Sequence, residues 1–103
     1  MNNLEQHIEV IIFTASEPVT AEFIGEMVSQ IHSKEISHAA VIEAVENINQ
    51  RYESVHSVFK IFEIAGGYQL LTKKEFDPVI AHVQSNLSKK KLSTSALETL
   101  SVI

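Results

Sequence analysis

The spacing of the apolar residues changes once along this chain, and that change limits the folds open to it. From Leu4 to Tyr52 they recur every three or four residues, the period of a helix that buries one face. Residues 58–64 and 68–72 are instead short runs rich in β-branched and aromatic residues. The sequence therefore predicts a mainly α fold of the α+β class, with helices followed by a small β-hairpin.

Local signals divide the helical part into three helices. The first covers residues 4–15 and ends before Pro18, which disfavours a helical conformation at the residue preceding it. Thr20 is a good N-cap for the second helix, and Ser37 for a third over residues 38–53. Three helices joined by short connections and followed by a hairpin are the element order of a winged helix, with a helix-turn-helix core and a β wing.

A tight turn is predicted between the two strands. Gly66-Gly67 accepts positive φ angles without a Cβ penalty, and it separates the two apolar runs. We expect this dipeptide to form the tip of the wing.

The chain is predicted to leave its first domain after residue 87. Asp77-Pro78 offers a helix start, and the apolar residues up to Leu87 complete a winged-helix domain over residues 1–87. The polar, lysine-rich residues 88–92 are a predicted linker. Residues 93–103 begin another helix whose apolar positions have nothing nearby in sequence to pack against. We expect the chain to be a fragment cut inside the first helix of a second domain.

Charge and composition exclude several classes of protein. The 103 residues carry a net charge of −5, and residues 1–57 alone carry −7, which argues against affinity based on neutralising phosphates. The chain has no cysteine, so it has neither disulfides nor thiolate metal sites. No apolar run approaches the length of a membrane span. We expect a cytoplasmic protein without membrane contact.

No constellation of residues predicts catalysis, a cofactor or a metal. There is no Gly-rich phosphate loop, and Asp77 is the single aspartate. Glu43 and Glu46 share a helix face, as solvated surface residues commonly do. The five histidines lack metal-ligand spacing, although His32 and His38 flank one turn and could approach each other. We expect no catalytic residue, no cofactor and no metal site.

A winged-helix DNA-binding transcriptional regulator is the alternative function. Such a domain commonly places its third helix in the major groove, where polar and basic side chains contact bases and phosphates. Residues of those types are present: Asn47, Asn49, Gln50 and Arg51. The same helix carries three carboxylates, Glu43, Glu46 and Glu53. Together with Arg51 they give the helix a net charge of −2. Because carboxylates repel phosphates, we expect no direct sequence-specific DNA contact.

The basic residues lie elsewhere. The predicted wing tip carries no basic residue, and the main basic group is Lys89, Lys90 and Lys91 in the predicted linker. Lysines in such a segment favour solubility, and weak nonspecific contact with nucleic acid is the alternative.

The first strand carries apolar residues on both faces. Phe59 and Ile61 lie on one face, and Phe62 and Ile64 lie on the other. A hairpin over three helices normally buries one face only, so the second invites a protein partner. The alternative, that a fourth helix or a second domain covers it, stays open. We predict Phe59 and Ile61 as interface residues.

Three segments resemble one known family, segregation and condensation protein B. Residues 11–20 (IIFTASEPVT) are similar to its first helix and the turn after it, and residues 62–73 (FEIAGGYQLLTK) are similar to its wing. Residues 92–100 (LSTSALETL) resemble the segment that opens its second winged helix. Helix 2 departs from the family, which often has a glycine in the turn that follows.

The resemblance implies a function in the bacterial chromosome. Members of this family are non-catalytic subunits of the condensin-like SMC complex, which acts in chromosome condensation and partition during cell division. They form homodimers through the amino-terminal winged helix. They also bind the kleisin, segregation and condensation protein A, and through it SMC. The resemblance thus implies a cytoplasmic protein associated with the nucleoid through this complex.

Overall fold

The helices and the hairpin occur in the predicted order. The computed structural model of the protein describes residues 3–98. Its main elements are α1 (Asn3–Thr14), α2 (Ala21–His32), α3 (His38–Ser54), β1 (Phe59–Ile64), β2 (Gly67–Thr72) and α4 (Asp77–Glu98), and a 3-10 turn, Lys74–Phe76, precedes α4. The winged-helix prediction, a helical core with a two-stranded antiparallel wing, is confirmed.

Side-chain caps begin α2 and α3 as predicted. The Thr20 Oγ1 accepts a hydrogen bond from the Phe23 N–H at 3.0 Å, and the Ser37 Oγ accepts one from the Ala40 N–H at 3.2 Å. The turn after α2 does not need a glycine, because Ser33 itself adopts a left-handed φ of 55°. This conformation lets the Ser33 and Lys34 N–H groups bond to the last carbonyls of the helix.

Buried aliphatic side chains from the three helices and β1 form the core. They are Ile8, Ile12, Ile24, Val28, Val41, Ala44, Val45, Ile48 and Ile61. All of them belong to one compact unit, Met1–Thr72, and Lys73–Ile103 forms a second unit. Burying each large side chain contributes roughly 1.5–3 kcal/mol, so this core is the main source of stability of the first unit.

The turn of the wing lies one residue earlier than predicted. Strand pairing runs from Phe59 opposite Thr72 to Ile64 opposite Gly67, and the positive φ angles belong to Ala65 (50°) and Gly66 (81°). The predicted Gly66-Gly67 turn is therefore wrong by one position.

Gly67 allows a third extended segment, the one that contains Val19, to approach the hairpin. A Cβ on Gly67 would lie 3.0 Å from the carbonyl carbon and oxygen of Val19. Val19 pairs with Tyr68 through two backbone hydrogen bonds, of 3.0 and 2.7 Å. The connection between α1 and α2 thus joins the wing, a pairing that no local pattern in the sequence predicted.

The prediction of a helix end near Leu87 is wrong, and the linker over residues 88–92 stays a prediction. The helix α4 begins at the predicted Asp77-Pro78 and continues through residue 98. Residues 88–98 contain no glycine or proline, so nothing in this stretch interrupts the backbone hydrogen bonding of the helix. The last predicted apolar positions, Leu100 and Ile103, lie outside the described residues. The division into two domains stays a prediction.

Candidate interaction surfaces

Asn49 of α3 joins the helix to the first strand of the wing. Its Nδ2 donates to the Ile61 carbonyl at 3.0 Å, and its Oδ1 accepts from the Ile61 N–H at 2.8 Å. The amide therefore satisfies both backbone groups of one strand residue, as a neighbouring strand would. Asn49 acts inside the fold and is not available to a base.

Two other polar residues of α3 are held by carboxylates of α1. Asn47 donates to Glu5 at 3.0 Å. Arg51 lies 3.4 Å from a Glu5 oxygen and 3.9 Å from a Glu9 oxygen. Three of the four side chains considered for contacts with DNA are thus engaged within the protein, although Asn47 and Arg51 remain exposed to solvent, as Gln50 is.

Tyr52 completes this contact between α1 and α3. Its hydroxyl donates a hydrogen bond to the carboxylate of Glu9. Burial raises the pKa of the Tyr52 phenol well above its usual range, and the hydrogen bond and negative charge of Glu9 raise it further. The network stabilises the packing of α3 against α1.

The outward side of α2 and α3 is acidic. Glu43 and Glu46 are exposed on α3. A shallow concavity of about 540 Å³ lies where α2 meets the start of α3. Its charged lining residues are Glu22, Glu26, Lys34 and Glu35. This acidic surface disfavours a phosphate backbone.

Of the two predicted interface residues on the wing, Phe59 and Ile61, only Phe59 is exposed. Ile61 is 3% exposed and belongs to the core, so its side chain cannot contact a partner in this fold. Phe59 is 46% exposed at the start of the same strand. The other face carries the half-buried Phe62, whose ring centroid lies 5.5 Å from the Lys60 Nζ, and the exposed Ile64. Alternation along the strand identified both faces, but only packing determined which one is buried.

An apolar groove between α1 and α2 was not predicted. This α1–α2 groove has a volume of about 360 Å³ and is lined by Val10, Ile11, Thr14, Ala15, Val19, Phe23, Met27 and Ile31. Val10 is 58% exposed and Ile31 is 56% exposed. Phe23, Met27 and Ile31 belong to the apolar repeat of α2, the pattern of a helix that buries one face. The width of this apolar stripe is the sequence signal for the groove, since one face of a helix cannot bury all of it.

A pair of histidines links α1 to the end of α2. The His7 Nδ1 and the His32 Nε2 are 3.0 Å apart, and the rings meet edge to face with centroids separated by 4.9 Å. The sequence predicted that His32 could approach His38, but the structure pairs His32 with His7. Among the side chains that the structure describes, no group of three or more His, Cys, Asp or Glu could hold a metal ion.

No helix in the part of the chain that the structure describes is both long and apolar enough to cross a bilayer.

Comparison with known proteins identifies one family. The family model described as segregation and condensation complex subunit ScpB matches residues 6–103. Segregation and condensation protein B of Clostridium tetani is 31% identical over 96 residues, which cover 93% of this chain and 48% of that protein. The chain spans about half the length of the curated relatives it matches.

Solved structures share the fold. The crystal structure of ScpB from Mycobacterium tuberculosis has a TM-score of 0.69 and 20% identity, covering 94% of this chain and 57% of that one. A crystal structure of a dimer of the ScpB N-terminal domain complexed with an ScpA peptide has a TM-score of 0.67 and 18% identity. That match covers 79% of this chain and 94% of the solved one.

Proposed function

The chain belongs to the segregation and condensation complex subunit ScpB family, and from that membership we propose that it is a non-catalytic subunit of a condensin-like SMC complex. In this function it binds the kleisin, segregation and condensation protein A, and through it SMC. The observation that carries the proposal is the family match over residues 6–103. The engagement of Asn47, Asn49 and Arg51 within the fold supports it against DNA recognition by α3.

Self-association is part of the proposed function. One related N-terminal domain was solved as a dimer with an ScpA peptide. The match with this chain covers 94% of that solved domain. This supports a homodimer of the present chain and a kleisin peptide as its partner. The complex would act in chromosome condensation and partition during cell division, in the cytoplasm and at the nucleoid.

Phe59 is the residue of the wing that we propose as a contact for the partner protein. It is a large, exposed aromatic side chain, the type that commonly anchors protein interfaces. Phe59→Lys should weaken partner binding without loss of helical structure. Leu71→Lys, at an exposed position on the opposite face of the hairpin, is the matched control.

Calorimetry tests kleisin binding directly. The chain is titrated with the middle segment of the cognate kleisin at physiological salt. Saturable binding with a negative heat-capacity change, the sign of apolar burial, is expected. If neither this chain nor a longer one that includes the remaining half of the family's length binds the segment, the proposed function is wrong.

DNA binding distinguishes the alternative function. A regulator that contacts phosphates binds duplex DNA with an affinity that falls steeply as salt rises, because binding releases counterions. We expect weak or undetectable duplex binding at physiological salt. Saturable duplex binding with a steep salt dependence would contradict the proposed function.

A further inference from the structure

The contact between His7 and His32 brings together two side chains of the commonest metal-ligating type from positions 25 residues apart in the sequence. We propose that this histidine pair binds one divalent transition-metal ion, such as Zn²⁺ or Cu²⁺, with water as the remaining ligands. The sequence predicts no metal site, because spacing along one helix cannot reveal ligands that come from two helices. The inference does not depend on the partners proposed above.

The distance between the two rings suits a shared metal ion. The His7 Nδ1 and the His32 Nε2 are 3.0 Å apart. Two nitrogens that each lie about 2.0–2.1 Å from one ion, at the bond angles of octahedral or tetrahedral coordination, are separated by roughly 2.9–3.4 Å. The histidine pair is therefore spaced for chelation, and a rotation of the rings directs both nitrogens at the ion.

Metal binding replaces the hydrogen bond between the rings without a net change in protons. In the hydrogen bond, one of the two facing nitrogens carries the proton and the other accepts it. When the ion binds, that proton moves to the outer nitrogen of the same ring by exchange with water. Both facing nitrogens then donate their lone pairs to the ion, and each imidazole stays neutral, the form that ligates metals.

The core holds both ligands in position before an ion binds. Ile8, next to His7, is fully buried, and so is Val28, one helical turn before His32. The helices α1 and α2 pack against each other, so the backbones that carry the two rings are fixed and little additional structure is ordered on binding. Both histidines are only half-buried, so water reaches the rings and completes the coordination.

The ligand type determines the class of ion. Imidazole nitrogens suit Zn²⁺, Cu²⁺ and Ni²⁺, whereas Mg²⁺ and Ca²⁺ prefer oxygen ligands. Among these ions Cu²⁺ is the one that a given nitrogen site binds most tightly. Residues 1–57, which include both histidines, carry a net charge of −7, and this charge raises the local concentration of cations.

Metal titration of histidine variants tests the proposal. The full chain is titrated with Zn²⁺ and, separately, with Cu²⁺ by calorimetry in a buffer free of chelators, and one ion per chain should bind saturably. His7→Gln and His32→Gln should each weaken binding by at least about tenfold, because each removes one of the two protein ligands. His38→Gln, at an exposed histidine outside the pair, is the matched control and should bind as the unsubstituted chain does.

Two further measurements identify the ligands without any substitution. Electron paramagnetic resonance of the chain loaded with Cu²⁺ should show hyperfine coupling to two imidazole nitrogens. Excess Mg²⁺ should not displace Zn²⁺, because Mg²⁺ prefers oxygen ligands.

The opposite results would overturn the proposal. If the unsubstituted chain binds neither ion saturably, the two histidines form a hydrogen bond between helices and nothing more. If both variants of the pair bind the ion as tightly as the His38→Gln control does, other residues hold it. Displacement of Zn²⁺ by Mg²⁺ would assign the binding to carboxylates and not to the histidine pair.

Discussion

Single side chains of α3 determine how the winged helix is assembled. Asn49 bonds to both backbone groups of Ile61, and Tyr52 and Arg51 contact carboxylates of α1. In a DNA-reading winged helix, polar residues of this helix would be directed at bases. Here the same residue types stabilise packing, so their presence in the sequence does not indicate a recognition helix.

Asn49→Ala should destabilise the protein by about 2 kcal/mol. The substitution removes two hydrogen bonds and leaves the backbone N–H and carbonyl of Ile61 without these partners in a partly buried position. The free energy of unfolding is measured by urea denaturation. Gln50→Ala, at the exposed neighbouring position, is the control and should change it by less than about 0.5 kcal/mol. Equal effects of the two substitutions would contradict the role assigned to Asn49.

The raised pKa of Tyr52 should make the folded protein lose stability at high pH. Its pKa is raised in the folded protein, so the unfolded chain loses the phenol proton first, above pH of about 10. The stabilising contribution is fully present below that pH and decreases as the pH rises above it. Urea denaturation between pH 9 and 11.5 should show a steeper loss for the unsubstituted protein than for Tyr52→Phe. Tyr68, whose pKa burial also raises, is present in both proteins and cancels in the comparison.

At the scale of the elements, the wing depends on the connection between α1 and α2. Val19 pairs with Tyr68 beside β2, and Gly67 allows this approach because it has no Cβ. The glycine is needed for contact with another segment and not for the turn, where Ala65 and Gly66 have the positive φ angles.

Gly67→Ala should destabilise the protein by about 2 kcal/mol. The new Cβ would lie 3.0 Å from the Val19 backbone, so the pairing of Val19 with Tyr68 must shift. Gly25→Ala in α2 is the matched control, because its Cβ would make only ordinary contacts of 3.6 Å or more. That control should be neutral or stabilise the protein by up to about 1 kcal/mol, since alanine favours a helix. The melting temperatures of the two variants are measured by thermal unfolding. Equal melting temperatures would contradict the role assigned to Gly67.

At the scale of the whole molecule, the core and the candidate surfaces belong to the first compact unit. The nine buried core residues all lie between Ile8 and Ile61, inside Met1–Thr72. The α1–α2 groove and Phe59 lie in that unit as well. Phe59, the proposed partner contact, thus lies in the unit that contains the core.

A chain ending at Thr72 should fold by itself. Because it contains the complete core, we expect a single cooperative transition on urea denaturation, followed by far-ultraviolet circular dichroism. A gradual, non-cooperative transition of this fragment would show that residues after Thr72 are required for folding.

Sequence alone determined the order of the elements, because helix and strand periods, caps and glycines are local properties. Thr20 and Ser37 began their helices as predicted, and the three family motifs identified the family before any contact was known. Local signals failed where distant segments meet. Only the tertiary structure placed Ile61 in the core, brought Val19 to the wing and engaged Asn49 with β1, since each depends on packing between segments. The α1–α2 groove is of this kind too, because the apolar stripe of α2 is wider than the surface that its neighbours can bury.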